Sequence, residues 1–203
     1  MNKKVVIIGA GGHAKVVADI IRSNGDTVEG FLDDSFTCPR DFYGSTVLGK
    51  TQDYVKYALD SYFIIAIGSG AVREKISSSI VCKWYTAVHP SAVVSGSAVI
   101  GEGSAVMANA VVNADAKIGN HVIVNTGSIV EHDCEIGDYS HVAPKSVVCG
   151  GTVIGKNVWL GTGSTTMQAI NVCDGVMVGA GGVVVKNIIE SGTYVGVPVK
   201  KIK

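Results

Sequence analysis

Aliphatic side chains recur every six positions through the second half of the chain. The phase starts at Val94 and runs through Ile100, Val106, Val112, Ile118, Val124, Val130, Ile136, Val142, Val148, Ile154, Leu160, Thr166, Val172, Val178 and Val184, with Thr166 the one non-aliphatic member. Four residues after each aliphatic position the side chain is usually small, as at Ala98, Ser104, Ala110, Ala116, Ser128, Cys134, Ser140 and Ser146. Gly follows Ile directly at 101, 119, 137 and 155. Neither the helical period of 3.6 nor the strand period of 2 gives this pattern. A three-sided coil does, with one hexad per side and eighteen residues per turn. The aliphatic residue fills the interior, the small one fits beside it, and Gly or Asn turns the chain. Five such coils, stacked at about 4.8 Å, would stand about 24 Å tall. The expected fold is a parallel β-helix of hexapeptide repeats.

The N-terminal pattern differs. Val5 to Gly9 reads as a buried strand, followed by a helix over 13–23 with Val16, Val17, Ile20 and Ile21 inward. A second strand covers 27–32 and ends in Asp33-Asp34; a third covers 63–68, and a helix 72–81. Alternating strands and helices predict a small parallel, Rossmann-like α/β domain. The hexads begin near His89-Pro90, so the chain divides into an α/β domain (1–86) and a β-helix domain (87–203).

Composition narrows the function. Seventeen basic residues balance seventeen acidic ones among 203, which disfavours nucleic acid and anionic membranes as partners. Aromatics are only 6%, and the 26 Gly residues exceed the usual share, as a coil with many tight corners requires. No run approaches the roughly 18 apolar residues of a membrane span. The short apolar run after Met1 is followed at once by Gly-rich sequence, unlike a signal peptide. The five cysteines, Cys38, Cys82, Cys134, Cys149 and Cys173, form no close metal-type pairs and fit a reducing cytoplasm.

Two segments carry candidate chemistry. Gly9-Ala10-Gly11-Gly12-His13-Ala14 satisfies G-x-G-x-x-A after a strand, with Asp33 and Asp34 about twenty positions on. The domain is too short for the two halves of a dinucleotide fold. Backbone amides at a helix N-terminus can hold phosphate, and an aspartate ending the neighbouring strand can bond a ribose or base, so one nucleotide fits better than NAD. A tight turn without ligand is the structural alternative. The second segment is Asn125 to Asp133. His132 lies at an outward corner position between Glu131 and Asp133, and imidazole beside a carboxylate suits proton abstraction near neutral pH. His141 lies half a coil further on. A zinc site of His121, His132 and His141 is disfavoured, since the three occupy different phases of the coil, and no metal is expected. Cys134 and Cys149 occupy positions that the hexad already explains.

Taken in order, Gly-Ala-Gly-Gly-His (9–13), Phe-Leu-Asp-Asp (31–34), Ile-Ala-Ile-Gly (65–68), Asn-Thr-x-Ser-x-x-Glu-His (125–132), Ser-His-Val (140–142) and Gly-Val-Pro-Val-Lys (196–200) resemble the PglD-type sugar acetyltransferases of the sialic acid O-acetyltransferase (NeuD-like) hexapeptide-repeat family. The resemblance implies a left-handed β-helix and a homotrimer with active sites between adjacent solenoids; a monomer with a mildly apolar surface is the alternative. It implies an acetyl-CoA-dependent N-acetyltransferase acting on a UDP-linked 4-amino sugar, in which Gly11, Gly12, His13, Asp33, Asp34 and Gly68 hold the nucleotide sugar. His132 would be the general base, oriented by Asp133, with Asn125 nearby. His141 would position the thioester. Acetyl-CoA would lie along Gly150, Gly161, Gly179 and Ala180, with Lys186 contacting phosphate and Gly150 a candidate oxyanion donor. Two positions depart from the family pattern: Ala14 stands where Gly is common, and Ala180 where another Gly often occurs. The rivals are O-acetylation of a sialic acid-type sugar, a GDP- or dTDP-linked acceptor, and a nucleotide-binding scaffold without a reaction.

Overall fold

A computed structural model describes residues 2–37 and 39–203; Met1 and Cys38, the latter one of the five cysteines read above, lie outside the described residues. The chain opens with β1 (Lys4–Ile8), α1 (Gly12–Ser23) and β2 (Thr27–Leu32). After β3 (Arg40–Phe42) and β4 (Ser45–Gly49), a short 3-10 helix (Thr51–Lys56) leads to β5 (Tyr62–Ile65), α2 (Gly70–Ser77) and β6 (Lys83–Trp84). The sheet order is β3-β4-β2-β1-β5-β6, parallel except for the β3-β4 hairpin. The central strands β1 and β5 are buried over Val5–Ile8 and Phe63–Ile65, as continuous apolar runs in parallel sheets require.

Three expectations shift. Helix α1 buries Ala14, Val17, Ala18, Ile20 and Ile21, but Val16 is 43% exposed, because its position rotates off the stripe that faces the sheet. Helix α2 starts two residues early and stops at Ser77. The Ser77 and Ser78 hydroxyls bond back to the Glu74 carbonyl, and Ser79 to Ile76, competing with continuation of the helix. The pair β3-β4 and the 3-10 helix occupy a stretch for which the pattern predicts no element.

From Ala87 onward, two-residue strands succeed one another every six residues and pair in parallel with strands eighteen residues away, as in Ala105–Val106 with Ile123–Val124 and Val147–Val148 with Ile129–Val130. Three parallel sheets close a triangular β-helix. The first face is built from strands at 87, 105, 123, 141, 159 and 176–178 and is extended by Gly192–Val195. The second carries strands at 93, 111, 129, 147, 165 and 183, and the third those at 99, 117, 135, 153 and 171. The predicted aliphatic residues from Val106 to Val184 line one core with the small residues beside them.

The small positions do more than fit. Ser104, Ser140 and Ser146 are buried and donate to the carbonyls of Gly119, Gly155 and Gly161 in the next coil at 2.7–2.8 Å. Each such bond contributes about 1 kcal/mol while satisfying a buried hydroxyl. The corners also differ from the expected role of Gly. Left-handed backbone recurs every six residues from Gly103 to Gly181, at Asn109, Asp115, His121, Asp133, Tyr139, Lys145, Asn157 and Ala169 as well as at glycines. The Ile-Gly glycines are not among these positions. They are needed because coils touch there: a Cβ on Gly137 would sit 2.5 Å from the Gly155 carbonyl carbon.

The α/β part packs on the first face. Val5, Ile7, Ala10, Ala14 and Val17 share a core with Ala105, Met107 and Ile123 of the solenoid. Gly70 lets α2 approach so closely that a Cβ would meet the Tyr139 carbonyl oxygen at 2.5 Å. Among the described residues, no helix is long and apolar enough to cross a membrane.

Candidate active site

The glycine turn opens between the carboxyl ends of β1, β2 and β5, where doubly wound sheets bind ligands. Gly9 has a φ of 106° and lies against the Ala66 carbonyl, so the turn itself demands glycine. Gly11 and Gly12 have open space where a side chain would project, and α1 begins there without a side-chain cap or an acidic residue in its first turn. The helix N-terminus is therefore free to take an anion. Asp33 Oδ2 accepts the Ala10 N–H at 2.7 Å and Oδ1 the Ser35 N–H at 2.8 Å, which pins the turn to the end of β2. Asp34 Oδ1 accepts the Thr51 N–H. A crevice of about 220 Å³ lies beside Gly9, Asp33, Asp34 and Thr51.

His13 and Gly68 meet the solenoid's first face at His141 and Trp159. The His141 and Trp159 rings are 4.5 Å apart, and a Cβ on Gly68 would lie 3.7 Å from the Trp159 ring. Within one protomer Asn125 belongs to this cluster and lies apart from His132, because it sits on the edge between the first and second faces. Its Oδ1 accepts the Thr126 N–H at 2.8 Å, which turns its Nδ2 toward His141 Nε2 at 2.9 Å. His141 Nε2 is thus an acceptor, and its proton resides on Nδ1. Burial, the nearby Arg73 cation and His13 push the His141 pKa down to about 3, against a small opposing pull from the Gly68 carbonyl. Burial and Arg73 likewise lower His13 to about 4. His13 Nε2 and His141 Nδ1 are buried without hydrogen-bond partners among the described residues. A ligand bearing polar groups would satisfy both.

His132 lives in the opposite environment. It lies on the edge between the second and third faces, its side chain 63% exposed, with Nδ1 2.7 Å from Asp133 Oδ2. That hydrogen bond raises its pKa above the ordinary histidine value, with the charges of Asp133 and Glu131 adding to the effect and desolvation opposing it. Asp133 adopts left-handed backbone, a conformation Asp tolerates better than most residues. Glu131, the second flanking acid, accepts a hydrogen bond from Asn113 at 2.9 Å. With Nδ1–H given to Asp133, Nε2 is the free lone pair. It lies over Gly150, one coil up, where a Cβ would come within 2.7 Å.

The remaining candidates fall on two edges. Lys186 lies on the His132–Gly150 edge, three coils above His132 in the eighteen-residue register and exposed, about 14 Å along the axis at the usual strand spacing. Gly161 and Gly179 lie on the Asn125 edge with Ala180 beside them; a Cβ on Gly161 would meet the Val178 carbonyl at 2.5 Å, so close stacking of coils fixes this glycine. Cys134 is buried and donates to the Cys149 carbonyl at 3.2 Å, and burial raises its pKa, as befits an inert thiol. His121 is packed between Trp84 and Tyr139. Sequence reasoning missed Trp159 and Arg73. Trp159 was marked only by being an aromatic on an outward position of a solenoid strand; nothing distinguished Arg73 from a helix-surface charge.

Residues 4–80 match the family model of the PglD N-terminal domain, and residues 115–150 match that of the bacterial transferase hexapeptide with six repeats. The UDP-N-acetylbacillosamine N-acetyltransferase of Bacillus subtilis (strain 168) is 36% identical over 109 residues, 50% of this chain and 50% of that protein. The chain spans between 20% and 50% of the length of the curated relatives it matches. The acetyltransferase domain of PglB from Neisseria gonorrhoeae FA1090, in complex with acetyl coenzyme A, superposes with a TM-score of 0.94 at 37% identity, covering 100% of both chains. PerB from Caulobacter crescentus, in complex with CoA and GDP-perosamine, gives 0.94 at 38% identity over 98% of this chain and 97% of that one. The chain belongs to the hexapeptide-repeat acetyltransferases that carry a PglD N-terminal domain.

Proposed function

We propose that the chain transfers the acetyl group of acetyl-CoA to the 4-amino group of a UDP-linked amino-deoxy sugar, with His132 as general base. The observation that carries this reading is the contrast between its two outward histidines. His132 is raised and paired with Asp133, while His141 is held neutral near 3. Groups driven apart in this way divide the acid-base work. His132 holds the proton-accepting role, and His141, with Nδ1–H free, a hydrogen-bonding one.

The acceptor nitrogen attacks the thioester carbonyl as a neutral amine. His132 Nε2 takes its proton, and Asp133 stabilises the imidazolium. The Gly150 N–H faces the place where the carbonyl oxygen gains charge. Collapse breaks the C–S bond, and the departing thiolate takes the proton back from His132, leaving the amide and CoA. The pantetheine arm runs from His132 past Gly150 toward Lys186, whose ammonium meets a phosphate. Gly161, Gly179 and Ala180 of a neighbouring copy form the other wall.

The separation of the two candidate sites supports such a neighbour. The nucleotide crevice packs on the first face, and His132 lies on the edge opposite it. A homotrimer brings one protomer's His132 to the next protomer's His13, Gly68, Asn125 and His141. The outward column Val93, Val111, Ile129 and Val147 on the second face, continued by Thr165 and Val183, gives a mostly apolar surface for that contact. The relatives support the substrate class: one is by its name an N-acetyltransferase of UDP-N-acetylbacillosamine, and another binds GDP-perosamine with CoA.

Parallel assays with UDP-, GDP- and dTDP-linked 4-amino sugars and with sialic acid test the reading. Turnover of a UDP-amino sugar is expected; acetylation of hydroxyl acceptors alone overturns the N-transferase assignment, and the GDP sugar as preferred acceptor overturns the UDP assignment. His132→Ala is expected to lower kcat about 10²–10⁴-fold, the usual worth of a positioned base, with an unchanged circular dichroism spectrum.

A further inference from the structure

One buried side chain enters the reading above only through its charge, which acts on His13 and His141. Arg73, on α2, is 1% exposed. Its Nε donates to the His121 carbonyl at 2.9 Å, its Nη1 to those of Ile67 at 2.9 Å and Gly68 at 2.7 Å, and its Nη2 to those of Tyr139 and Ser140. Five N–H groups meet five backbone carbonyls, the full donor capacity of a guanidinium. None of these acceptors is a carboxylate. Burial lowers the Arg73 pKa to about 10, which leaves the cation intact at neutral pH. A buried cation held only by carbonyl dipoles is costly for stability, and one kept nonetheless points to a role in specifying geometry.

The acceptors fall into two groups. Ile67 and Gly68 form the lip of the crevice after β5, on the α/β side. Tyr139 and Ser140 lead directly into His141, on the solenoid side, and His121 lies one coil below Tyr139. Without the guanidinium these carbonyls would face one another across the joint, dipole against dipole, with the Ser140 carbonyl keeping only the Ile123 N–H at 3.0 Å. The fork converts that repulsion into a fixed spacing. It places the Gly68 carbonyl and His141 in a single rigid frame with the Trp159 ring against Gly68.

We propose that Arg73 is a positioning residue for the acceptor sugar: it sets the register between the Ile67–Gly68 lip and His141, so that the sugar bridging them is held for transfer. This rests on the nucleotide-sugar reading above. The nucleotide itself is gripped elsewhere, at the glycine turn and Asp33, and the acetyl-CoA arm runs away from the joint, between Gly150 and Lys186 of one copy and Gly161, Gly179 and Ala180 of the next. Loss of the fork therefore strikes the sugar selectively.

The test is steady-state kinetics of Arg73→Met and Arg73→Lys on the full chain, with acetyl-CoA and the UDP-4-amino sugar, beside calorimetry with UDP alone. Arg73→Met is expected to raise the acceptor KM at least tenfold while the acetyl-CoA KM and the UDP affinity stay within about threefold. Arg73→Lys, with three donors in place of five, falls between. An unchanged acceptor KM with a lowered melting temperature makes Arg73 merely structural and overturns the proposal, as does a parallel rise in both KM values. If the Met variant does not fold, the Lys variant decides by the same criteria. If the wild-type protein acetylates no nucleotide amino sugar, the functional reading fails separately. Arg73 is then judged by amide exchange: faster exchange in 66–70 and 139–141 together in the Lys variant supports coupling of the two segments, and exchange unchanged in either removes it.

Discussion

His132 and His141, nine positions apart, carry the same imidazole into unlike surroundings. One projects from a corner into solvent beside Asp133, and the other is walled in by Trp159, Gly68 and a buried cation. The proposed base must be unprotonated to act, so activity is expected to rise with pH through the His132 pKa, which Asp133 holds above the ordinary value. Asp133→Asn keeps a residue suited to left-handed backbone while removing the charge. The acid limb of kcat/KM is expected to move to lower pH in that variant; a limb that stays in place removes Asp133 from the account. Gly150 offers a second test. Its backbone is not left-handed, so alanine costs nothing there, yet the added Cβ lands on the imidazole. The ring must swing away, and misplacement on this scale costs on the order of 10²-fold in turnover. Gly150→Ala should retain the wild-type melting temperature and lose that activity; undiminished turnover would falsify the placement of Nε2 over Gly150.

At the scale of the elements, the solenoid was legible because its rule is local. Each inward position depends on its own hexad and on neighbours eighteen residues away, so a single sequence states the rule at fifteen of sixteen positions. The corners were only half legible: glycines stood out in the letters, but the Ile-Gly glycines serve close stacking while Asn, Asp, Tyr and Lys bear much of the left-handed backbone. Arg73 and the β3-β4 hairpin were hidden because their partners are backbone groups or distant strands, which composition does not reveal. Ala169 provides the stability test. It occupies a left-handed corner at φ 53° without a polar side chain to offset the cost. Relief of a penalty of about 1 kcal/mol by Ala169→Gly should raise the melting temperature by about 2–4 °C for a chain of this size. A lowered midpoint would mean that the added chain entropy of glycine outweighs the relief.

For the whole molecule, the α/β part and the solenoid share side chains in one core, so they are fixed to one another as a body. The glycine-turn crevice and His132 nonetheless sit on opposite sides of the prism, so in the proposed trimer each protomer would hold two half-sites. Two inactive variants should then rescue each other. In co-expressed His132→Ala and Gly11→Leu chains, random mixing in a threefold ring leaves about one site in four with both halves intact. Recovery of roughly that share of activity is expected, and none if each protomer acts alone.

The left-handed corner at every sixth residue also makes the prism a measuring rod. One inserted hexad would carry everything downstream to the next edge, and Lys186 would no longer share a line with His132. A whole extra winding would preserve that line and lift Lys186 by about 4.8 Å. Relatives that accept carriers with longer or shorter arms can thus be reached by adding or deleting eighteen residues at a time, with the reacting end untouched.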